Sequence, residues 1–387
     1  MDFNFTEDQE MLSTSVRQFV RKESPVDRLR TMREDPIGWD KKMWKRMGEQ
    51  GWLGILYDEE VGGFGGSFVD LMAVLEPFGT NLVPEPVIAS AVLGGLPLHL
   101  LGTAQQKETY LQSMVAGDTS LAFAHAEDTS RFSPEWIACA AESDGTGWKL
   151  SGKKVFVPNG HAADHIVVAA RTGGKPGEAE GLTLFIVSPS DPGVDVRTVQ
   201  GMDGQKYGQI TFQNAAVAKE ALLGEVGKAF PVMEQVLDYG AAAAVCEGLG
   251  ATVQMLSMTV EYLLTRKQFG VFIGSFQALQ HVAVDMFVET ELCRSAAILA
   301  AIDVDSADAE VRKASISTAK AQLADSGKYV SQQATQLHGG IGVTDEHDLG
   351  LYFKRMHVLN TLFGDERYHI ERFAALPSFA GEDALTT

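Results

Sequence analysis

Along the first 118 residues apolar side chains return every three or four positions, as in Met11, Val16, Phe19 and Val20 and again in Met43, Met47, Trp52 and Leu53. That spacing lays them on one face of a helix and predicts a helical unit over 1–118. The run Gly62-Gly63-Phe64-Gly65-Gly66 interrupts it. It follows a helix-like segment and lacks a succeeding Lys-Ser/Thr, so it reads as a turn rather than a phosphate loop. From Ser120 to about Leu223 the pattern shortens to runs such as Trp148–Pro158, Ile166–Arg171, Leu182–Val187 and Gln209–Phe212, punctuated by turn residues. These predict strands of a small barrel or sandwich over 119–225. Helical spacing returns after Gly227. The segment 230–265 has no proline after Pro231, which allows a helix of up to ~50 Å at 1.5 Å per residue. Three further helices are predicted near 276–302, 309–337 and 345–361, giving a C-terminal four-helix domain over 226–378 and a loose tail over 379–387. The order helices, strands, helices is an α+β architecture.

Composition narrows the partners. A chain of 387 residues is long enough for two or three packed units. A net charge of -19 repels nucleic acid and anionic membrane at long range, although arginines and backbone amides can still hold a phosphate locally. Cys139, Cys246 and Cys293 are too few and too scattered for a disulfide framework, which suits a reducing cytosol. His125, His281, His338, His347 and His369 lack metal-ligand spacing, so no metal site is expected. The start of the sequence is acidic without an apolar h-region, and no stretch approaches ~18 uninterrupted apolar residues. A cytoplasmic protein is the expectation.

Two motifs carry the candidate chemistry. Arg266-Lys-Gln-Phe-Gly270, followed by Phe276-Gln277, closes the long helix with a guanidinium, two amides and aromatic rings, a set suited to gripping a dinucleotide. Gln336-Leu-His-Gly-Gly-Ile-Gly342 adds another amide and small residues that let backbone N–H groups approach a pyrophosphate. Together with Phe5-Thr6-x-x-Gln9, the glycine-rich turn and Gly152-Lys-Lys-Val-Phe-Val-Pro-Asn-Gly160, these resemble the acyl-CoA dehydrogenase family over essentially the whole chain. Within it the chain is most similar to the pimeloyl-CoA dehydrogenase small-subunit type. The resemblance implies FAD and α,β-dehydrogenation of an acyl-CoA: a carboxylate removes the α-proton while the β-hydrogen leaves as hydride to the flavin. It also implies a dimer or dimer of dimers, homo- or hetero-oligomeric with a paralogous chain, in which one subunit's β domain holds the flavin ring and its neighbour's helices the adenine and pyrophosphate. Electron-transferring flavoprotein is the implied acceptor. By motif match Arg266, Gln268, Phe269, Phe276, Gln277, Gln336, Gly339 and Gly340 belong to the adenine–pyrophosphate half.

The sequence departs from the family pattern in two places. The usual Thr-Glu-Pro-Gly-Ala-Gly-Ser-Asp loop reads Ala126-Glu-Asp-Thr-Ser-Arg-Phe-Ser133, and the usual Trp-Ile-Thr reads Phe156-Val157-Pro158. Proline supplies neither hydroxyl nor N–H to a flavin ring, leaving Thr129 and Ser130 as replacements. The base is the second departure. Alignment from one side puts Gly364 at its usual position and alignment from the other offers Asp365; the alternative family position, on the long helix, is Gly240. Two turns further along that helix lies Glu247, the one carboxylate between Asp238 and Glu261, near the same face and flanked by small residues. Desolvated there, it is a candidate base, as is Asp365. Lys354-Arg355 is a candidate CoA-phosphate contact or a solvated pair. Three functions stay open: an FAD-dependent acyl-CoA dehydrogenase, a non-catalytic partner subunit completing the flavin site of a paralogue, and a flavin oxidase or monooxygenase on the same fold.

Overall fold

The computed structural model describes residues 5–380, so the predicted tail lies outside the described residues beyond Ala380. Contacts divide the chain into two compact units. One comprises the chain up to Thr31, Ser67–Val83 and the chain from Ala241 onward; the other comprises Met32–Gly66 and Pro84–Gly240. The helical first third therefore contributes to both.

In the first unit the predicted long helix is present, Phe230–Thr265, and this unit holds its portion from Ala241. It is long and apolar enough to cross a membrane, but 72% of its most apolar window is buried, as in a core helix. Its glycines explain how tightly it packs. A Cβ at Gly250 would stand 2.0 Å from the Glu76 carbonyl oxygen, and one at Gly79 would stand 1.9 Å from that of Glu247. Only glycine lets these two backbones cross. Helix Glu7–Glu23, started by a Thr6/Gln9 capping box, packs on helix Phe68–Asn81. Ala309–His338 is central and meets Gln277–Asp303, Leu349–Thr361 and Glu366–Ala374. The last of these extends the predicted four helices. Leu349–Thr361 begins later than the predicted 345, because Gly339–Val343 forms a 3₁₀ turn and a bend precedes Leu349.

The second unit carries one mixed eight-stranded sheet: β1 Leu121–Ala124, β2 Ala140–Ser143, β3 Gly147–Pro158, β4 His165–Arg171, β5 Leu182–Val187, β6 Val194–Gln200, β7 Lys206–Ala218 and β8 Leu222–Leu223. The path runs β6-β7-β3-β2-β4-β5-β8, with β1 parallel to β4. Residues 166–171 of β4 and all of β5 are buried, which accounts for their unbroken apolar runs. β3 pairs with β7 antiparallel and shifts register between Lys154 and Val157, next to the Phe156-Val157-Pro158 segment.

Candidate functional site

Beyond Thr265 the chain folds into a tight hairpin. Lys267–Gln268 pairs antiparallel with Val271–Phe272, and both turn residues have positive φ, 53° at Phe269 and 82° at Gly270. This is the type I′ pattern, natural for glycine and unusual for phenylalanine. The strain presents the Phe269 ring to solvent, 91% exposed and edge-on to Phe276 with ring centroids 6.2 Å apart. Arg266, Gln268 and Gln277 are exposed around it. The second motif lies at the end of Ala309–His338. Gln336 is exposed, Gly339 adopts φ 64° and ψ -142°, and a Cβ at Gly339 or Gly340 would meet nothing within 4 Å. The two motifs belong to one end of the bundle because Tyr262, one turn before Arg266, stacks on His338 with ring centroids 4.6 Å apart. His338 also meets His347 at 4.8 Å, and its Nδ1 lies 2.8 Å from the Ala334 carbonyl. Burial keeps its pKa below the ordinary histidine value. Sequence reading considered His338 only as a metal ligand and missed it as the buried ring joining the motifs; its signal was its place directly before Gly339.

The substituted loop of the second unit is fixed from beneath by buried charges. The Lys154 ammonium, fully buried, donates to Glu127 Oε1 at 2.7 Å and to the His125 carbonyl at 3.1 Å. The Glu127 carboxylate also accepts from the Ala138 and Cys139 amides at 2.8 and 2.9 Å. Arg171 donates to five carbonyls, those of Glu135, Ile137, Gly173, Glu178 and Glu180, and so ties two loops together. Ser130 is buried and hydrogen-bonds the Glu127 backbone, and the Thr129 hydroxyl accepts from the Trp136 indole. Both hydroxyls proposed as flavin-ring replacements thus have partners within their own loop. Phe156, at φ 53°, stacks on Tyr207 with ring centroids 4.1 Å apart and is 48% exposed. Burial, reinforced by the Lys154 charge, pushes the His125 imidazole down to about 3. The paired lysines 153 and 154 carried a signal for this, because neighbours on a strand face opposite sides and one had to point inward.

Neither candidate base has the surroundings expected of it. Glu247 is buried, but both its oxygens are taken by Arg355, at 2.6 Å from Nε and 2.9 Å from Nη2. Its burial is that of a bidentate ion pair, the arrangement that buried carboxylates need when they stay charged. Arg355 is correspondingly buried, so it is neither the solvated charge nor the phosphate contact considered from sequence, while Lys354 bonds Asp345 at 3.1 Å. Asp365 is the N-cap of Glu366–Ala374 and accepts from the Tyr368 amide at 2.9 Å. At Gly364, φ is 119°, and a Cβ would stand 2.4 Å from the Tyr368 ring and 2.6 Å from His369 Nε2. The usual position of the base is filled by neighbouring rings. Beneath this turn lies Lys320, fully buried, donating to the Leu359 carbonyl at 2.6 Å. Burial pushes its ammonium down to about 7 against the opposing pull of Asp365. Ile316, Lys320 and Leu323 share one helical face, which is how the sequence could have revealed it.

Three family models match along the chain: the acyl-CoA dehydrogenase N-terminal domain over 6–118, the middle domain over 122–215 and the C-terminal domain over 227–375. The chain belongs to the acyl-CoA dehydrogenase family. Its fold is that family's N-terminal helical, middle β and C-terminal helical arrangement, as expected from sequence. Among curated relatives, the 3-(aryl)acrylate reductase of Clostridium sporogenes is 29% identical over 360 residues, covering 92% of this chain and 94% of the relative. Among solved structures, the butyryl-CoA dehydrogenase of Megasphaera elsdenii is similar with TM-score 0.89 at 25% identity, over 97% of this chain and 99% of that one. A chain of the ChsE4–ChsE5 complex of Mycobacterium tuberculosis is similar with TM-score 0.87 at 26% identity, over 97% and 98%.

Proposed function

We propose that this acyl-CoA dehydrogenase is an FAD-dependent, cytoplasmic subunit that introduces a 2,3-double bond into an acyl-CoA thioester. The observation that carries the FAD assignment is the joining of the arginine hairpin and the open Gly339-Gly340 turn at one end of the bundle by Tyr262 and His338. That end fits a dinucleotide: exposed Arg266 supplies a phosphate-pairing guanidinium, Gln268, Gln277 and Gln336 supply amides, Phe269 and Phe276 supply stacking faces, and the glycines leave their backbone open to approach. When bound, FAD accepts the β-hydrogen as hydride. This chain's residues grip and orient it.

Proton removal needs a carboxylate that this chain does not offer in a free state at either candidate position, since Glu247 is held by Arg355 and Asp365 caps a helix. This favours a second reading within the first, that the active oligomer joins this chain to a paralogue bearing the base. Helix Gln277–Asp303 is consistent with such an assembly. Met286, Cys293 and Ala297 are buried on one face, while Val284, Phe287, Val288 and Leu292 remain exposed, with Phe287 at 54%. Exposed apolar stripes of this kind mark subunit contacts. The electron acceptor in this reading is an electron-transferring flavoprotein. The test is flavin content by absorbance for the protein expressed alone and with an adjacent paralogue. About one FAD per chain when alone supports a self-sufficient homo-oligomer; flavin only with the partner, at about half occupancy, supports the shared site. No flavin in either preparation overturns the FAD assignment.

A further inference from the structure

The rings that join the two motifs are themselves held from outside them. The segment 345–348 follows the Gly339–Val343 turn and is clamped by Arg30, on the short helix Asp27–Glu34. Arg30 Nη1 donates to Asp348 Oδ1 at 2.5 Å, and Nη2 donates to the Asp345 and Glu346 carbonyls, both at 3.3 Å. Asp27 accepts from the same Nη1 at 2.8 Å, and Lys354 holds the Asp345 carboxylate at 3.1 Å. A planar guanidinium can reach three acceptors on one segment at once, a geometry that a lysine ammonium does not reproduce. Within the clamped segment, His347 Nδ1 accepts from the Leu349 amide at 3.2 Å, which fixes the ring that meets His338. His338 is buried. Its Nδ1 donates to the Ala334 carbonyl, because a carbonyl only accepts, and its Nε2 makes no hydrogen bond among the described residues. The orientation of this imidazole therefore rests on one hydrogen bond and on the rings of Tyr262 and His347. From Tyr262 the path continues through the backbone. The Tyr262 carbonyl accepts from the Arg266 amide at 2.9 Å, and the Arg266 carbonyl closes the hairpin by accepting from the Ile273 amide at 2.9 Å. An unbroken run of contacts thus leads from Arg30, which belongs to neither motif, to Arg266.

We propose that Arg30 and the stacked rings of His347, His338 and Tyr262 are positioning residues for the dinucleotide site, holding the Gly339-Gly340 turn and the Arg266 hairpin at the spacing FAD needs before it binds. The assignment rests on the FAD reading above. A preformed site avoids the cost of ordering both motifs on binding, so loosening any member weakens affinity without removing a group that grips the cofactor. The test reads two quantities in the full chain in its native oligomer. One is FAD affinity, by flavin fluorescence. The other, with flavin removed, is amide exchange at Ile273 in the hairpin and at Thr344, which donates to the Ile341 carbonyl at 3.1 Å beyond the glycine turn. Tyr262→Leu and His338→Leu each weaken FAD binding about tenfold, while the ring-conserving Tyr262→Phe and His338→Phe stay within about threefold of the parent. The double variant Tyr262→Leu/His338→Leu binds no more than about threefold weaker than either single one, as for two members of one relay. Arg30→Met, at a side chain 23% exposed, leaves the core intact and weakens FAD binding by at least about threefold, and Arg30→Lys does not restore it. Crossed exchange separates positioning from local packing: Tyr262→Leu speeds exchange at Thr344, and His338→Leu speeds it at Ile273, each about tenfold. Full additivity of the two leucine variants, an Arg30→Met protein that binds FAD like the parent, or exchange altered only on the mutated side would each overturn the proposal. Should the parent bind no FAD, the FAD reading fails; the crossed exchange, which needs no flavin, still upholds the relay by its presence or overturns it by its absence.

Discussion

Replacing Glu247 separates an ion-pair role from a catalytic one. Its carboxylate meets Arg355 through two short bonds, 2.6 and 2.9 Å, and both residues are less than a tenth exposed. Removing one partner of such a pair leaves the other charge buried without compensation and costs about 3–5 kcal/mol. Glu247→Leu and Arg355→Met should each fall in that range. At roughly 2–4 °C per kcal/mol for a unit of this size, either variant melts roughly 6–20 °C below the parent. The double variant Glu247→Leu/Arg355→Met replaces the pair with apolar groups, a change that is often neutral, so it should recover most of the loss and show strong non-additivity. The assay is thermal unfolding of all four proteins, with turnover measured in the flavin-loaded oligomer. Recovery of both melting temperature and turnover in the double variant identifies Glu247 as a structural partner. If Glu247→Leu melts like the parent yet loses turnover, the carboxylate is not committed to Arg355 and the reasoning fails.

Gly364→Glu should not install a base: positive φ and contacts of 2.4 and 2.6 Å from its Cβ predict a loss of about 2–5 kcal/mol and no gain in turnover, checked by denaturant unfolding and assay. Lys320 gives a pH signature. Its folded pKa, about 7, lies below its unfolded value of 10.5, so above pH 7 the unfolded chain holds the extra proton and stability rises from about pH 7 to 10; Lys320→Met should be more stable at neutral pH and remove that slope in melting curves. His125, pushed down to about 3, works in the other window: between about pH 6.5 and 3 the unfolded chain binds the proton, so stability falls as pH drops, and His125→Phe should flatten that limb in acid titrations. Arg266→Ala, at an exposed position, should weaken FAD binding roughly tenfold to a hundredfold, read by flavin fluorescence, while moving the apoprotein's melting temperature little.

Much of this fold was written in local pattern. The helices Phe230–Thr265, Gln277–Asp303 and Ala309–His338 fall within a residue or two of their predicted limits, because apolar spacing agrees with the absence of proline beyond the first turn of each and, for the last, with Gly339 directly after its end. β3, β4 and β5 were readable as β-rich runs between turn residues. The Arg266–Gly270 and Gln336–Gly342 motifs were readable too, since residue type and order carry their chemistry, and no long-range information was needed to single them out. What sequence could not supply was pairing across the chain. Glu247 and Arg355 are 108 positions apart, and the carboxylate's isolation along its own helix invited a catalytic reading that only the guanidinium from another helix answers. The same holds for Tyr262 with His338 and for Lys320 beneath the Gly364 turn. Periodicity assigns a residue to a face, but what that face meets is decided when helices distant in sequence pack together. A buried charge takes its role from the partner it finds there.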